Sequence, residues 1–150
     1  RYTWDKLLSI GGNFTDMRVL DNMKTAIGSS VPNLGYGEKM PNLPSMFADF
    51  DVTLYWHGLG GKDNLLTFCY DGQYVQDFSY YSARIGSNKG DYIVPDQLSH
   101  TLSLVYSLKS GRYNIALECR NVTDERLYDN FSLQKPGRAF YAKFRVKLGK

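Results

Sequence analysis

Residues Ala139–Leu148 read AFYAKFRVKL. Phe140, Ala142, Phe144, Val146 and Leu148 are apolar, and Tyr141, Lys143, Arg145 and Lys147 between them are polar or cationic. A strict period of two marks a β-strand, because successive side chains leave opposite sides of the backbone. The two sides make different demands. One holds lysine and arginine; the other carries phenylalanines and no charge. Whatever this chain folds into has to offer those sides different surroundings.

The same alternation recurs upstream. Leu8, Ile10, Gly12 and Phe14 alternate with Ser9, Gly11, Asn13 and Thr15; Ala48, Phe50, Val52, Leu54 and Trp56 with Asp49, Asp51, Thr53, Tyr55 and His57. Leu66, Phe68, Tyr70 and Tyr74 share a phase opposite Thr67, Asp71 and Gln73. Leu98, Leu102, Leu104, Tyr106 and Leu108 face away from Ser99, Thr101, Ser103 and Ser107; Tyr113, Ile115, Leu117 and Cys119 face away from Arg112, Asn114, Glu118 and Arg120. No helical i, i+3, i+4 stripe of useful length interrupts them, so the class is all-β, an antiparallel up-and-down meander of about six strands.

The connections alternate too. HGLGGKDN (57–64) and LKSGRY (108–113) are short and rich in turn residues. Val19–Met46, Asp77–Gln97 and Val122–Gly137 are long, about 28, 20 and 16 residues. Long loops of that size count against a compact soluble domain. In an outer-membrane barrel they are expected, with tight turns at one rim and long loops outside. Trp4, Trp56, Tyr106 and Tyr113 fall near the tight-turn boundary, and Phe14, Phe47, Phe50, Tyr74 and Phe140 nearer the other. Two aromatic belts a strand length apart suit rings lying at headgroup level. Aromatics make up 15% of the chain, with 12 tyrosines.

Hydropathy allows this. Mean hydropathy is −0.39 and no apolar run approaches the length of a membrane helix, but alternating membrane strands keep the mean low. In a wide barrel the exterior meets lipid and the interior water. Lys143 or Arg145 on the lipid side would each cost about 2–4 kcal/mol at mid-bilayer. The strand phases therefore assign Phe140, Phe144, Val146, Leu148, Ile115, Leu117, Leu102 and Leu104 to lipid. About six strands cannot close, and an open edge in hydrocarbon leaves unsatisfied backbone groups. The expectation is one segment, residues 1–150, of a larger barrel: the chain starts at Arg1 in a strand-like run, with no initiator methionine or signal peptide.

The last 60 positions resemble the C-terminal strands of a TonB-dependent outer-membrane receptor. VPDQLSHTLSLVYSL (94–108) and YNIALECRNVTDERLYDNFSLQKPGRAFYAKFRVKL (113–148) carry the resemblance. Within it, Asn121-Val122-Thr123-Asp124 matches the family's element at the end of the penultimate strand. Tyr128-Asp129 matches its loop dipeptide, and Pro136-Gly137-Arg138 the lead into the final strand. MPNLPSMFADFDVTLYW (40–56) resembles more loosely a strand beginning after a long external loop.

The resemblance implies the C-terminal part of a barrel of about 22 strands, plugged by a separate N-terminal domain. It implies import of a scarce nutrient (an iron chelate such as a siderophore, a vitamin or a glycan) across a Gram-negative outer membrane. TonB would supply the energy through an N-terminal part these residues do not contain. The expected partners are outer-membrane lipid, the rest of the barrel and its plug, TonB and a small ligand. One departure is the ending, Leu148-Gly149-Lys150, where the family's barrels typically end on an aromatic.

No catalytic or metal constellation stands out, so neither an enzyme nor a cofactor is expected. His57 and His100 have no Cys, Asp or Glu at metal-ligand spacing. Ser99-His100 near Asp96 is no triad, since neighbours on a strand point apart. The net charge of +3 is spread along the chain and gives no support to nucleic-acid binding. Asn13-Phe14-Thr15, Asn121-Val122-Thr123 and Asn130-Phe131-Ser132 match glycosylation triplets that arise by chance. Cys69 and Cys119 fall on opposite faces roughly 10 Å apart, two strand spacings, too far for a disulfide; two free thiols follow.

Ligand contacts are expected in the long loops, where binding groups on rigid scaffolds concentrate. Tyr80, Tyr81, Arg84, Tyr92, Arg126, Tyr128 and Arg138 are aromatic or cationic and suit an acidic chelate or a sugar. Such residues equally suit loop packing or contact with lipopolysaccharide. For Pro136-Gly137-Arg138 the structural role is favoured, because Pro fixes one turn angle and Gly supplies another. Two other readings stay open: a soluble secreted β-sandwich or β-barrel binding carbohydrate, and a plain pore or adhesion barrel.

Overall fold

A computed structural model describes residues 2–4, 6–80, 92–129 and 131–148. Its strands are β1 (Tyr2–Trp4), β2 (Leu8–Asp16), β3 (Met46–His57), β4 (Leu65–Val75), β5 (Phe78–Ser79), β6 (Ile93–Val94), β7 (Gln97–Leu108), β8 (Tyr113–Arg120) and β9 (Ala139–Val146). The fold is all-β. One seven-stranded antiparallel sheet runs β1-β2-β3-β4-β7-β8-β9, and β5-β6 form a separate two-stranded ribbon. Each strand of the sheet lies beside the next one in the chain, with the ribbon set into the connection between β4 and β7. This is a meander, so every tight turn falls at one end of the sheet and every long connection at the other.

Two additions separate this architecture from the sequence pattern. β1 pairs Tyr2↔Ile10, Thr3↔Ser9 and Trp4↔Leu8, but three residues are too few for alternation to show. The long connections are also structured. In the 17–45 arm the ladder of β2 and β3 continues through Met17 N–H to Ser45 O (2.8 Å), Met40 N–H to Val19 O (2.9 Å) and Asp21 N–H to Glu38 O (2.9 Å). Nearer its tip, Ala26 N–H reaches Val31 O (3.0 Å). The closing strand stops at Val146, two residues before Leu148.

The register lines the phases up into two faces. One row runs Ile10↔Val52↔Tyr70↔Leu102↔Cys119↔Phe140, and the next runs Leu8↔Leu54↔Phe68↔Leu104↔Leu117↔Ala142. The intervening row, on the other face, is Ser9↔Thr53↔Cys69↔Ser103↔Glu118↔Tyr141. A slip of one residue between any pair would mix the faces, and none occurs. Phe47 pairs with Thr15 and Val75, which puts it on the polar face, apart from the belt aromatics with which it was grouped by height.

Among the described residues, neither face is covered by a second layer. The buried hydrophobic residues among those described are Phe78 and Val94, partners in the ribbon and outside the sheet. Phe140 is 77% exposed, Phe144 68% and Leu117 52%. The chain exposes 10811 Å², where a compact monomer of 17.1 kDa would expose about 7,700 Å². β9 pairs on one side with β8 and has no second neighbour in the sheet, so its outer edge is open.

Candidate functional site

The apolar face is bounded by aromatics at both ends. Toward the tight turns stand Trp4, Trp56, Tyr106, Tyr113 and Phe144, with Trp56 opposite Leu66, Tyr106 opposite Ile115 and Phe144 opposite Ile115. Toward the long connections stand Phe14 opposite Ala48, Tyr74 opposite Ala48 and Leu98, and Phe140 near the start of β9. The longest strands, β3 and β7, have 12 residues each and β4 has 11, close to the about 9–11 that a tilted strand needs to cross a bilayer. The residues read from the sequence as lipid-facing within the strands (Leu102, Leu104, Ile115, Leu117, Phe140, Phe144 and Val146) share this one face. Leu148 lies just past the end of β9 and is exposed.

A histidine sits within that face, apart from Asp16 at its edge opposite Met46. His100 pairs with Gly72, and its Nδ1 is 2.9 Å from the Tyr70 hydroxyl, with the rings stacked at 26°. Gly72 makes room for this: a Cβ there would meet the Tyr70 oxygen at 2.7 Å. Phe50 closes the group edge-on to Tyr70. Tyr70 thus covers the glycine and gives the histidine a partner where neighbouring side chains offer none.

The polar face carries a feature the sequence reading passed over. Asp51 and Asp71 are direct cross-strand partners, with Asp49 one row away beside Gln73, whose amide donates to it at 3.0 Å. These residues, with Ser99 and Thr101, line a recess of about 290 Å³. The Asp51 carboxylate lies over Gly11, where a Cβ would stand 2.2 Å from Oδ1, and its Oδ2 is buried without a hydrogen-bond partner. The signal was present as Asp49-x-Asp51 on one strand and Asp71 on the next, but only the register makes them neighbours. Farther along, Glu118 accepts from Arg120 and lies 3.8 Å from Lys143 Nζ.

At the long-connection end, the residues singled out as ligand contacts divide. Tyr80 and Tyr92 come together: Tyr80 N–H donates to Tyr92 O (3.1 Å) and the rings meet edge to face at 5.9 Å. Tyr128 N–H donates to the side chain of buried Gln97, and Tyr128 lines, with Phe78 of the ribbon, a small recess of about 60 Å³. Arg126 is exposed on the same loop. Arg138 stands apart from these aromatics; its N–H donates to Asp124 Oδ1 (2.8 Å) and its guanidinium lies 3.8 Å from Oδ2. Tyr81 and Arg84 lie outside the described residues.

The residues quoted for the family motif close the ends of the last long loop. Asn121 has φ 50° and is 4% exposed; its side chain accepts from Glu125 N–H (2.9 Å) and donates to Glu125 O (2.8 Å). Asp124, at φ 58°, then receives Arg138 across Gly137, where a Cβ would stand 2.8 Å from the carboxylate. Asp129 works separately, accepting from Phe131 N–H (2.8 Å) and Leu133 N–H (2.9 Å) to turn the loop tip. Pro136 is exposed one residue before the glycine.

Cys69 and Cys119 are both free and stand on opposite faces with β7 between their strands. Ser99 and His100 leave β7 on opposite faces, while Asp96 accepts from Asp77 N–H (2.8 Å) and the Tyr74 hydroxyl (3.2 Å). His57 Nε2 is 3.2 Å from Lys6 O. Among the described residues no group of His, Cys, Asp and Glu could hold a metal ion, and no helix is long and apolar enough to cross a membrane. No protein-family model, curated protein or solved structure matches the chain.

Proposed function

We propose that this chain is part of a transmembrane β-barrel of a bacterial outer membrane, the C-terminal segment of a TonB-dependent receptor that imports a scarce nutrient. On this reading it is transport machinery and not an enzyme. The carrying observation is the uncovered apolar face: a registered seven-stranded sheet segregates its side chains by face, yet none of the described residues packs as a second layer on the aromatic side. Exposed apolar area on this scale needs a nonaqueous neighbour. A sandwich would supply a second sheet, with Phe140 and Phe144 between the layers; lipid supplies the same relief without one. The alternation of tight turns and long arms and the paired aromatic belts point the same way.

The long arms then face outward, where Tyr80, Tyr92, Arg126 and Tyr128 would meet the ligand, and the polar face lines an aqueous interior. The nutrient class and dependence on TonB rest on the motif resemblance at 121–138. The plug, the remaining strands and TonB are the partners this requires.

The test is a nitroxide scan of residues 140–146 in the full natural chain reconstituted in vesicles. Collision rates with oxygen and with a water-soluble nickel chelate should oscillate with a period of two and in opposite phase, oxygen peaking at 140, 142, 144 and 146. In-phase or flat profiles would remove lipid from the apolar face and return the soluble sandwich to first place. Given the alternation, loss of nutrient-limited growth when the chain is deleted would separate a receptor from a plain pore.

A further inference from the structure

The tight-turn rim is built as a unit. Asn64 donates to Leu59 O (3.2 Å) and the Tyr106 hydroxyl (3.1 Å) and accepts from Lys109 N–H (3.1 Å), while Tyr106 donates to Leu59 O (2.7 Å). Ser110 N–H reaches Asp63 O (2.9 Å), so the β3–β4 and β7–β8 turns are joined. Lys147 N–H bonded to Arg112 O (2.9 Å) ties in the end of β9, and His57 against Lys6 O ties in the β1–β2 turn. A rim fixed this way holds its side chains at set spacings with little ordering left to do on binding.

Those side chains are cations. Lys6, Lys62, Lys109, Arg112 and Lys147 are all exposed there, and none has an ion-pair partner among the described residues. Asp63 is the carboxylate the described part of this rim offers. Lys109 and Arg112 both lie 5.9 Å from the Tyr113 ring, which gathers them into one cluster. The opposite end differs: Asp77, Asp96, Asp124 and Glu125 mix with its cations, and Arg138 is already paired. Immediately above the cationic rim come Trp4, Trp56, Tyr106 and Tyr113, and then the apolar face.

We infer that the tight-turn rim docks anionic phospholipid headgroups of the leaflet it borders, and so fixes the depth of the sheet in that leaflet. The order cation, amphipathic ring, apolar surface repeats the order phosphate, glycerol, acyl chain. Guanidinium groups take phosphate oxygens in pairs, and lysines reach them as point charges. Each cation near an anionic surface contributes attraction that adds along the rim. The inference rests on the membrane reading above, since a rim with no bilayer beside it has no headgroups to meet.

The test is lipid retention. The full natural chain is reconstituted in nanodiscs of phosphatidylcholine with about one third phosphatidylglycerol, and native mass spectrometry counts the lipids retained. Wild type should hold phosphatidylglycerol at about three times or more its bulk ratio. Combining Lys62→Gln, Lys109→Gln and Arg112→Gln should return the ratio to bulk, and Lys62→Arg with Lys109→Arg and Arg112→Lys should keep the enrichment. Soluble glycerophosphoglycerol at millimolar concentration should leave it unchanged. Bulk-ratio lipid on wild type, equal enrichment on the glutamine variant, or displacement by the soluble headgroup would overturn the inference while sparing the membrane reading. A chain that does not enter the nanodisc would take both down.

Discussion

Asn121 occupies a backbone conformation most side chains avoid, and asparagine tolerates it because its short amide bonds locally. Here the amide meets both the N–H and the carbonyl of Glu125. Asn121→Ala should lower stability by about 2 kcal/mol, from two lost hydrogen bonds and a strained φ. Asn121→Gly, which relieves φ alone, should cost less; urea unfolding of the reconstituted chain would rank the two. At His100 the expectation concerns its partner. Tyr70→Phe leaves a half-buried imidazole with no acceptor or donor and should cost about 1–3 kcal/mol. In the His100→Leu background the same change should be nearly neutral, as a double-mutant cycle would show. Asn121 was visible in the sequence as a motif letter. The Tyr70–His100 pair was not, because the tyrosine leans along the strand over Gly72 to a partner 30 positions away.

At the level of strands, alternation was easily read because charge and aromatics segregate cleanly by phase. β8 is found at Tyr113–Arg120 and β3 at Met46–His57, and the β3–β4 and β7–β8 turns follow from their glycines. What stayed hidden was short or nonlocal: β1, whose three residues carry no period; the ribbon, whose pairs Ser79↔Ile93 and Phe78↔Val94 are 14 and 16 positions apart; and the apposition of Asp51 with Asp71. On the proposed reading, the two faces respond differently to one substitution. Leu117→Arg should cost about 2–4 kcal/mol near the bilayer midplane. Ser103→Arg, on the polar face of the neighbouring strand, should change stability by less than about 0.5 kcal/mol. Unfolding titrations in lipid vesicles, with both variants compared to wild type, would measure the difference; equal costs would contradict two solvents.

Across the whole sheet the cysteines give an internal comparison, since they differ in face and little else. In intact membranes a charged maleimide should modify Cys69 and spare Cys119, and detergent extraction followed by unfolding should expose both; mass spectrometry of labelled peptides reads the outcome. Reaction of Cys119 at the rate of Cys69 before extraction would count against a lipid exterior. The open edge of β9 was foreseeable from strand number alone, whereas the structured arms were not, because their turns lack a hydrophobic phase. The 17–45 arm has a consequence of its own. Apart from Asn42 N–H to Ser79 O of the ribbon (2.8 Å), its backbone bonds close within the arm from Met17–Ser45 outward, and the tip near Gly28 stands beyond that tie. On the proposed membrane reading, change accumulating at that tip, whether by drift under immune or phage pressure or by a grafted epitope, would alter what the cell displays without loosening the wall that carries it.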